Sequence, residues 1–163
     1  MHSAESAKSL AHLFAELVNG VTGSRGGFML NTGDAGLLAS LDRLSAEQAS
    51  LSANGGATIA AHAQHVRYGL SLMNRWSQGE NPFGDADWAA SWKKPSVTEP
   101  EWEALRIQLR DQAARWLVVL RTPREVQDVE LSGMIGSIAH LAYHMGAIRQ
   151  ISVHARGPAE GER

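Results

Sequence analysis

The sequence predicts an all-α protein, and three features support that class. Four segments repeat apolar residues at the spacing of one helix face, at residues 4–19, 58–77, 98–122 and 132–154. Residues that cap or stop helices stand at several of their ends. No segment alternates apolar and polar residues for long enough to predict a β-strand. We therefore predict four amphipathic helices packed as a four-helix bundle, in one domain over residues 1–163.

The first helix is predicted over residues 4–19, where apolar residues recur every three or four positions. Residues 20–36 follow with six glycines, which predicts a long loop. A loop of that length is uncommon inside a compact domain and is often functional. The leucines of residues 37–44 predict a short helix, and residues 45–48 have the form of a capping box that starts another turn.

The second long helix is predicted over residues 58–77, with Thr58 at its start. Residues 78–97 are rich in turn residues and carry Trp88 and Trp92. We interpret this segment as a crossover loop that packs against the helices through its aromatic rings.

The third long helix is predicted to begin after Thr98, which is followed by an early proline and by a glutamate three positions on. It should end before Pro123, and residues 123–131 are predicted to be a linker. The last helix is predicted over residues 132–154. The polar tail at residues 156–163 is predicted to be frayed.

Composition and charge exclude several classes of protein. The chain has 163 residues, a net charge of −2 and no run of Lys or Arg, so we expect no nucleic-acid partner. No apolar stretch is long enough to span a membrane, and no secretory signal is recognisable, so we predict a cytoplasmic protein. The absence of cysteine excludes disulfides, iron–sulfur clusters and a cysteine nucleophile. A metal site would have to use nitrogen and oxygen ligands, which draws attention to the seven histidines.

His140 and His144 stand four residues apart on the last predicted helix, so their side chains point the same way, one turn apart. That spacing lets two imidazoles bind one ion. Gly133, Ser137 and Ala147 share the same flank and leave room for an ion, a water molecule and part of a ligand. The alternative is a pair of half-buried histidines that are satisfied by backbone or water.

His65 is the candidate third ligand because it lies near the apolar face of the second long helix. The alternative is a partly buried histidine with a hydrogen-bond partner. His62 lies three positions earlier, where it would support a ligand or carry a proton, unless it is merely a boundary residue. His12 and His154 have no partner at the spacing of a metal site.

Four segments of the chain resemble the DinB-like (DinB/YfiT-like) helical metalloproteins. The sequence GLLASLDRLSAEQA at residues 36–49 is similar to a leucine-rich lead-in of that family, and TIAAHAQHV at residues 58–66 is similar to the start of its second long helix. The tryptophan-bearing crossover and EWEAL at residues 101–105 match in style and position. IAHLAYHMGAI at residues 138–148 resembles the closing H-x-x-x-H-x-G-Q-I motif. The resemblance covers about residues 34–152.

The resemblance implies that His65, His140 and His144 are the ligands of one divalent metal ion, with zinc or nickel favoured. It also implies a four-helix bundle with an open coordination position, and a homodimer. One departure is Ala147, where the family commonly has glutamine. The glycine-rich loop at residues 20–36 is also unusual for a small member.

Two functions of different classes follow from these observations. The first is a metal-dependent enzyme, a transferase, isomerase or hydrolase that acts on a small molecule and uses a low-molecular-weight thiol or water, with His62 moving the proton. The second is a stress-response protein that binds a metal and a small ligand without turnover. A third, weaker alternative is an interaction scaffold that has lost its metal.

Overall fold

The computed structural model describes residues 4–23 and 26–159 of the chain, and these form six α-helices and no strand. The predicted all-α class is therefore confirmed. None of the described helices combines the length and the apolar content needed to cross a membrane. In chain order the helices are α1 (Ala4–Asn19), α2 (Gly36–Asp42), α3 (Ala46–Ala49), α4 (Ile59–Ser77), α5 (Glu99–Arg121) and α6 (Asp128–Ile151).

The four long helices enclose the hydrophobic core. Helix α4 packs against α5 and α6, and α1 packs against the same two helices, so each long helix has two long neighbours. Phe14, Trp102 and Trp116 are fully buried among them. Both indole N–H groups have acceptors, which are the carbonyl of Leu44 at 2.8 Å and the hydroxyl of Ser137 at 2.9 Å. The two rings are therefore buried without leaving a donor unpaired.

Three of the predicted helix starts have the expected hydrogen bonds. Ser45 and Thr98 each form a capping box with the residue three positions later. The Thr58 hydroxyl accepts from the amide of Ala61 at 3.1 Å and donates to the carbonyl of Pro95 at 2.6 Å. Thr58 thus caps α4 and also ties its start to the end of the crossover.

The last helix differs from its predicted limits of 132–154. It begins at Asp128, because the side chains of Gln127 and Glu130 close a capping box four residues earlier than expected. It ends at Ile151, where Ser152 takes an extended backbone conformation and leads into a separate 3₁₀ turn, Val153–Ala155. Residues 128–131 of the segment expected to be a linker are therefore helical.

The glycine-rich segment at residues 20–36 is held to the helices by two buried carboxylates. Glu16 on α1 accepts from the three consecutive amides of residues 28–30 at 2.6 to 2.9 Å. Asp34 pairs with the guanidinium of Arg149 on α6 at 2.7 Å and also caps the amide that starts α2. Two specific contacts, one through Glu16 and one through Asp34, therefore hold the described part of the segment against the helices.

The described part of the C-terminal tail also makes contacts. The guanidinium of Arg156 donates to the carbonyl of Arg149 at 3.0 Å, and Gly157 lies against the Asp34 carboxylate. Residues 160–163 of the tail that we predicted to be frayed lie outside the described residues.

Candidate metal centre

Four histidines meet where α4 packs against α6. His62 and His65 lie almost one turn apart on α4, and His140 and His144 lie one turn apart on α6. Because the two helices are neighbours, the two pairs face each other. His62, His65 and His144 are buried, and His140 is half-buried.

The Nε2 atoms of three of these histidines converge. The Nε2 atom of His140 lies 3.1 Å from Nε2 of His65 and 2.9 Å from Nε2 of His144. One nitrogen from each residue falls within 4.8 Å of the other two. The structure therefore brings together the three histidines that the sequence singled out.

This donor set fits a metal ion better than it fits hydrogen bonding alone. A neutral imidazole nitrogen has one in-plane position, occupied either by a proton or by a lone pair. The Nε2 atom of His140 therefore cannot make two good hydrogen bonds to its two neighbours at once. Nitrogen ligands about 2.0–2.1 Å from a tetrahedral ion lie about 3.3–3.4 Å apart, close to the separations observed here. The cluster could hold one ion with little movement of the rings.

The orientation of His65 is set by the crossover between α4 and α5. The Ser91 hydroxyl, in the 3₁₀ turn Ala90–Trp92, donates to the carbonyl of Trp88 at 2.6 Å. Its free lone pair faces Nδ1 of His65 at 2.7 Å, where it can accept the ring N–H. A proton on Nδ1 leaves a lone pair on Nε2, which points at the other two histidines. The ring of Trp92 stacks on His65 at 4.2 Å between centroids.

His62 stands in the same relation to His144. Their Nδ1 atoms lie 2.9 Å apart, and both side chains are buried. If His144 offers Nε2 to an ion, its proton must sit on Nδ1. The Nδ1 atom of His62 must then accept a hydrogen bond from that N–H group. His62 consequently has no second lone pair with which to take up another proton. This geometry favours an orienting role for His62 over the role of a proton carrier.

The surroundings of the cluster keep the imidazoles neutral. Burial, together with the nearby His140 and His62, lowers the pKa of His65 to about 4. Burial lowers the pKa of His144 to about 3, again with contributions from the neighbouring histidines. Burial also lowers the pKa values of His62 and His140. A ligating imidazole must be neutral, so the site is in the required protonation state at pH 7.

Only some of the small residues expected beside the histidine pair line free space in the structure. Gly133 and Ser137 line a pocket of about 640 Å³ that reaches His140. The ring of Trp76 packs against Gly133 where a side chain would otherwise lie, and the Ser137 hydroxyl accepts from a buried tryptophan. Ala147 does not line this pocket. The expected free space therefore exists, but it extends along α6 away from Ala147.

Ser91 was not recognised from the sequence, because a single serine in a crossover carries no periodic signal. Trp88 and Trp92 were predicted to pack against the helices, and both rings contact His65. His12 and His154, which were set aside, lie exposed outside the cluster.

The fold and the site together define a class: an all-helical protein with a cluster of three histidines that could hold a metal ion. Comparison of the chain with models of known protein families gave no match. Comparisons with curated proteins and with solved structures gave no match either.

Proposed function

We propose that His65, His140 and His144 bind one divalent metal ion and leave at least one coordination position free for a small molecule. The observation that carries the proposal is the convergence of three Nε2 atoms on one point. No carboxylate or fourth histidine completes the group within the described residues. Three protein ligands with a free position are typical of catalytic sites, whereas structural zinc sites usually have four. Imidazole ligands are compatible with zinc or nickel.

We further propose that the chain is a DinB-like protein and that its four long helices form the corresponding bundle. The support is the sequence resemblance over about residues 34–152, together with histidines on facing helices. The same resemblance is the basis for expecting a homodimer, and the cytoplasmic location stays a prediction. Size-exclusion chromatography with light scattering tests the dimer, and a monomeric mass at micromolar concentration would contradict it.

The activity we propose is a metal-dependent transfer or hydrolysis on a small molecule, with a low-molecular-weight thiol or water as nucleophile. A bound divalent ion would lower the pKa of that thiol or water and so supply the nucleophile near neutral pH. Ser91 would hold His65, and His62 would hold His144, in the tautomers that ligation needs. Trp92 would shield both His65 and His144 from bulk water.

Metal content is the direct test of the site. Protein purified without a histidine tag or added metal should carry about one divalent ion per chain by elemental analysis. His144→Ala should lose most of that metal, because it removes one of the three ligand nitrogens, which lies 2.9 Å from Nε2 of His140. His154→Ala is the matched control, since His154 is exposed and outside the cluster. Equal metal content in the two variants would refute the assignment.

Binding without turnover is the second candidate, and one observation favours it. No aspartate or glutamate lines the pocket beside His140, so the described pocket offers no carboxylate to act as general acid or base. A screen of the metal-loaded protein with small thiols and electrophiles distinguishes the two functions. Turnover that disappears in His144→Ala supports the enzyme, whereas ligand binding without product supports the binding protein.

A further inference from the structure

The pocket beside His140 has the size of a small-molecule site. It lies between α4, the crossover and α6, with a volume of about 640 Å³. Small-molecule sites typically measure about 300–1,000 Å³. Its walls are built mainly from large apolar side chains, namely Met73, Trp76, Phe83, Trp88 and Leu141.

The described lining of the pocket contains no charged side chain. None of its lining residues is Asp, Glu, Lys or Arg. Of its polar groups, the Ser137 hydroxyl is already used, since it accepts from Trp116 and donates to the carbonyl of Met134. An ionised group placed deep in this pocket would lose its hydration without gaining a partner of opposite charge. The lining therefore selects against charged ligands.

Aromatic rings at the pocket are left partly open to solvent. Phe83 is 42% exposed and Trp88 is 40% exposed. Phe83 meets the ring of Trp76 edge to face, with 5.6 Å between centroids. Exposed apolar surface that surrounds a concave pocket is typical of a binding site.

The pocket is continuous with the histidine cluster. His140 belongs to both, and Trp88 lines the pocket while its ring lies 5.5 Å from that of His65. Gly69 on α4 lies between them: a Cβ atom there would be 3.5 Å from Cε1 of His140 and 3.7 Å from the ring of Trp88. A molecule in the pocket would consequently have one end against His140.

We propose that this pocket binds the uncharged, apolar, ring-bearing body of the small molecule and presents its other end to the histidine cluster. The inference rests on the proposed function, because that function would place a metal ion beside the other end of the molecule. The pocket itself does not depend on a metal. It assigns the substrate to a class, an aromatic or alicyclic molecule without charge on its ring portion. A charged thiol co-substrate would have to approach from outside this pocket.

The probe for this proposal is N-phenyl-1-naphthylamine, a neutral apolar dye that becomes fluorescent when it leaves water. Gly136→Leu places a large side chain on the lining of the pocket, and a Cβ atom there meets nothing within 4 Å. Gly146→Leu is the matched control: it lies on α6, also meets nothing within 4 Å, and is not part of the lining. Both changes replace a helical glycine with a better helix former, so neither should impair folding.

The wild-type protein should bind one dye molecule, Gly136→Leu should weaken binding by about tenfold or more, and Gly146→Leu should leave it unchanged. Phe83→Ala, in the crossover, gives a second variant that should also weaken binding without touching the core. Dye binding that is absent in the wild type, or that both Gly136→Leu and Phe83→Ala leave as strong as in the wild type, would overturn the proposal. Elemental analysis of the same samples keeps the two proposals separate. If the purified protein carries no metal but still binds the dye in the pocket, the pocket is supported and the metal site is contradicted.

Discussion

Ser91 offers a sharp test of the metal centre, because it touches a candidate ligand without being one. Its hydroxyl is buried, donates to the Trp88 carbonyl and faces Nδ1 of His65 at 2.7 Å. Ser91→Ala removes that acceptor and frees the His65 ring to adopt the other tautomer or to turn. If His65 is a ligand, metal affinity should fall although all three histidines remain.

The expected loss can be estimated from the contact. An orienting partner of a ligating histidine typically contributes about 10–100-fold to metal affinity. That range equals about 1.4–2.7 kcal/mol, since tenfold corresponds to about 1.4 kcal/mol. The free energy of unfolding of the metal-free protein should fall by less, about 0.5–1.5 kcal/mol, which is the usual net contribution of one neutral hydrogen bond. The effect of Ser91→Ala should therefore be larger on metal binding than on folding.

A competition titration against a chromophoric chelator measures the Kd for zinc, and urea unfolding of the metal-free protein measures stability. Ser71→Ala is the matched control, because the Ser71 hydroxyl also donates to a carbonyl three residues earlier, at 2.6 Å. No described bond joins Ser71 to a histidine. Equal zinc affinity in wild type, Ser71→Ala and Ser91→Ala would refute the orientation of His65 by Ser91.

Two further predictions concern pH and a buried ion pair. The pKa values of His65 and His144, lowered to about 4 and about 3, lie below the ordinary value of about 6.5, so the unfolded chain binds more protons on acidification. The metal-free protein should thus keep its stability above about pH 6.5 and lose it as pH falls towards 4. A thermal midpoint of the metal-free protein that is unchanged between pH 7 and 5 would contradict this expectation. Bound metal should leave cooperatively below about pH 6. Asp34→Ala should lower the free energy of unfolding by about 3 kcal/mol in urea, because Arg149 loses its carboxylate in a largely buried position, whereas Asp111→Ala, which breaks an exposed pair, should change it little. Similar losses in both aspartate variants would be inconsistent with the buried pair.

Local sequence signals were sufficient for the fold class and for most helix starts. Thr58 and Thr98 are common capping residues followed by periodic apolar positions, and both cap helices in the structure. Gln127 is not among the usual capping residues, so the true start of α6 was not recognised. The fixing of the glycine-rich segment by Glu16 and Asp34 depends on contacts across the fold, which no local pattern contains.

For the site, the candidate ligands were predictable from the sequence but the hydrogen bonds that support them were not. The shared direction of His140 and His144 follows from helix geometry alone. His65 was a candidate from its place near the apolar face, and the resemblance assigned it as a ligand. The structure brings the three together, as the sequence predicted. The supporting bonds could not be predicted, because Ser91 lies 26 residues after His65 and His62 lies 82 residues before its partner His144. Those contacts depend on how the crossover and the helices pack.

The crossover has a consequence for the rate at which an ion would exchange. Ser91 and Trp92 belong to a short 3₁₀ turn in the crossover, whereas the histidines belong to two long helices in the core. Segments with few core contacts open locally more often than the helices they cover. Such an opening would uncover His65 and release its Nδ1 bond while α4 and α6 stay packed. The residence time of a bound ion would then be governed by the opening of the crossover and not by unfolding of the protein.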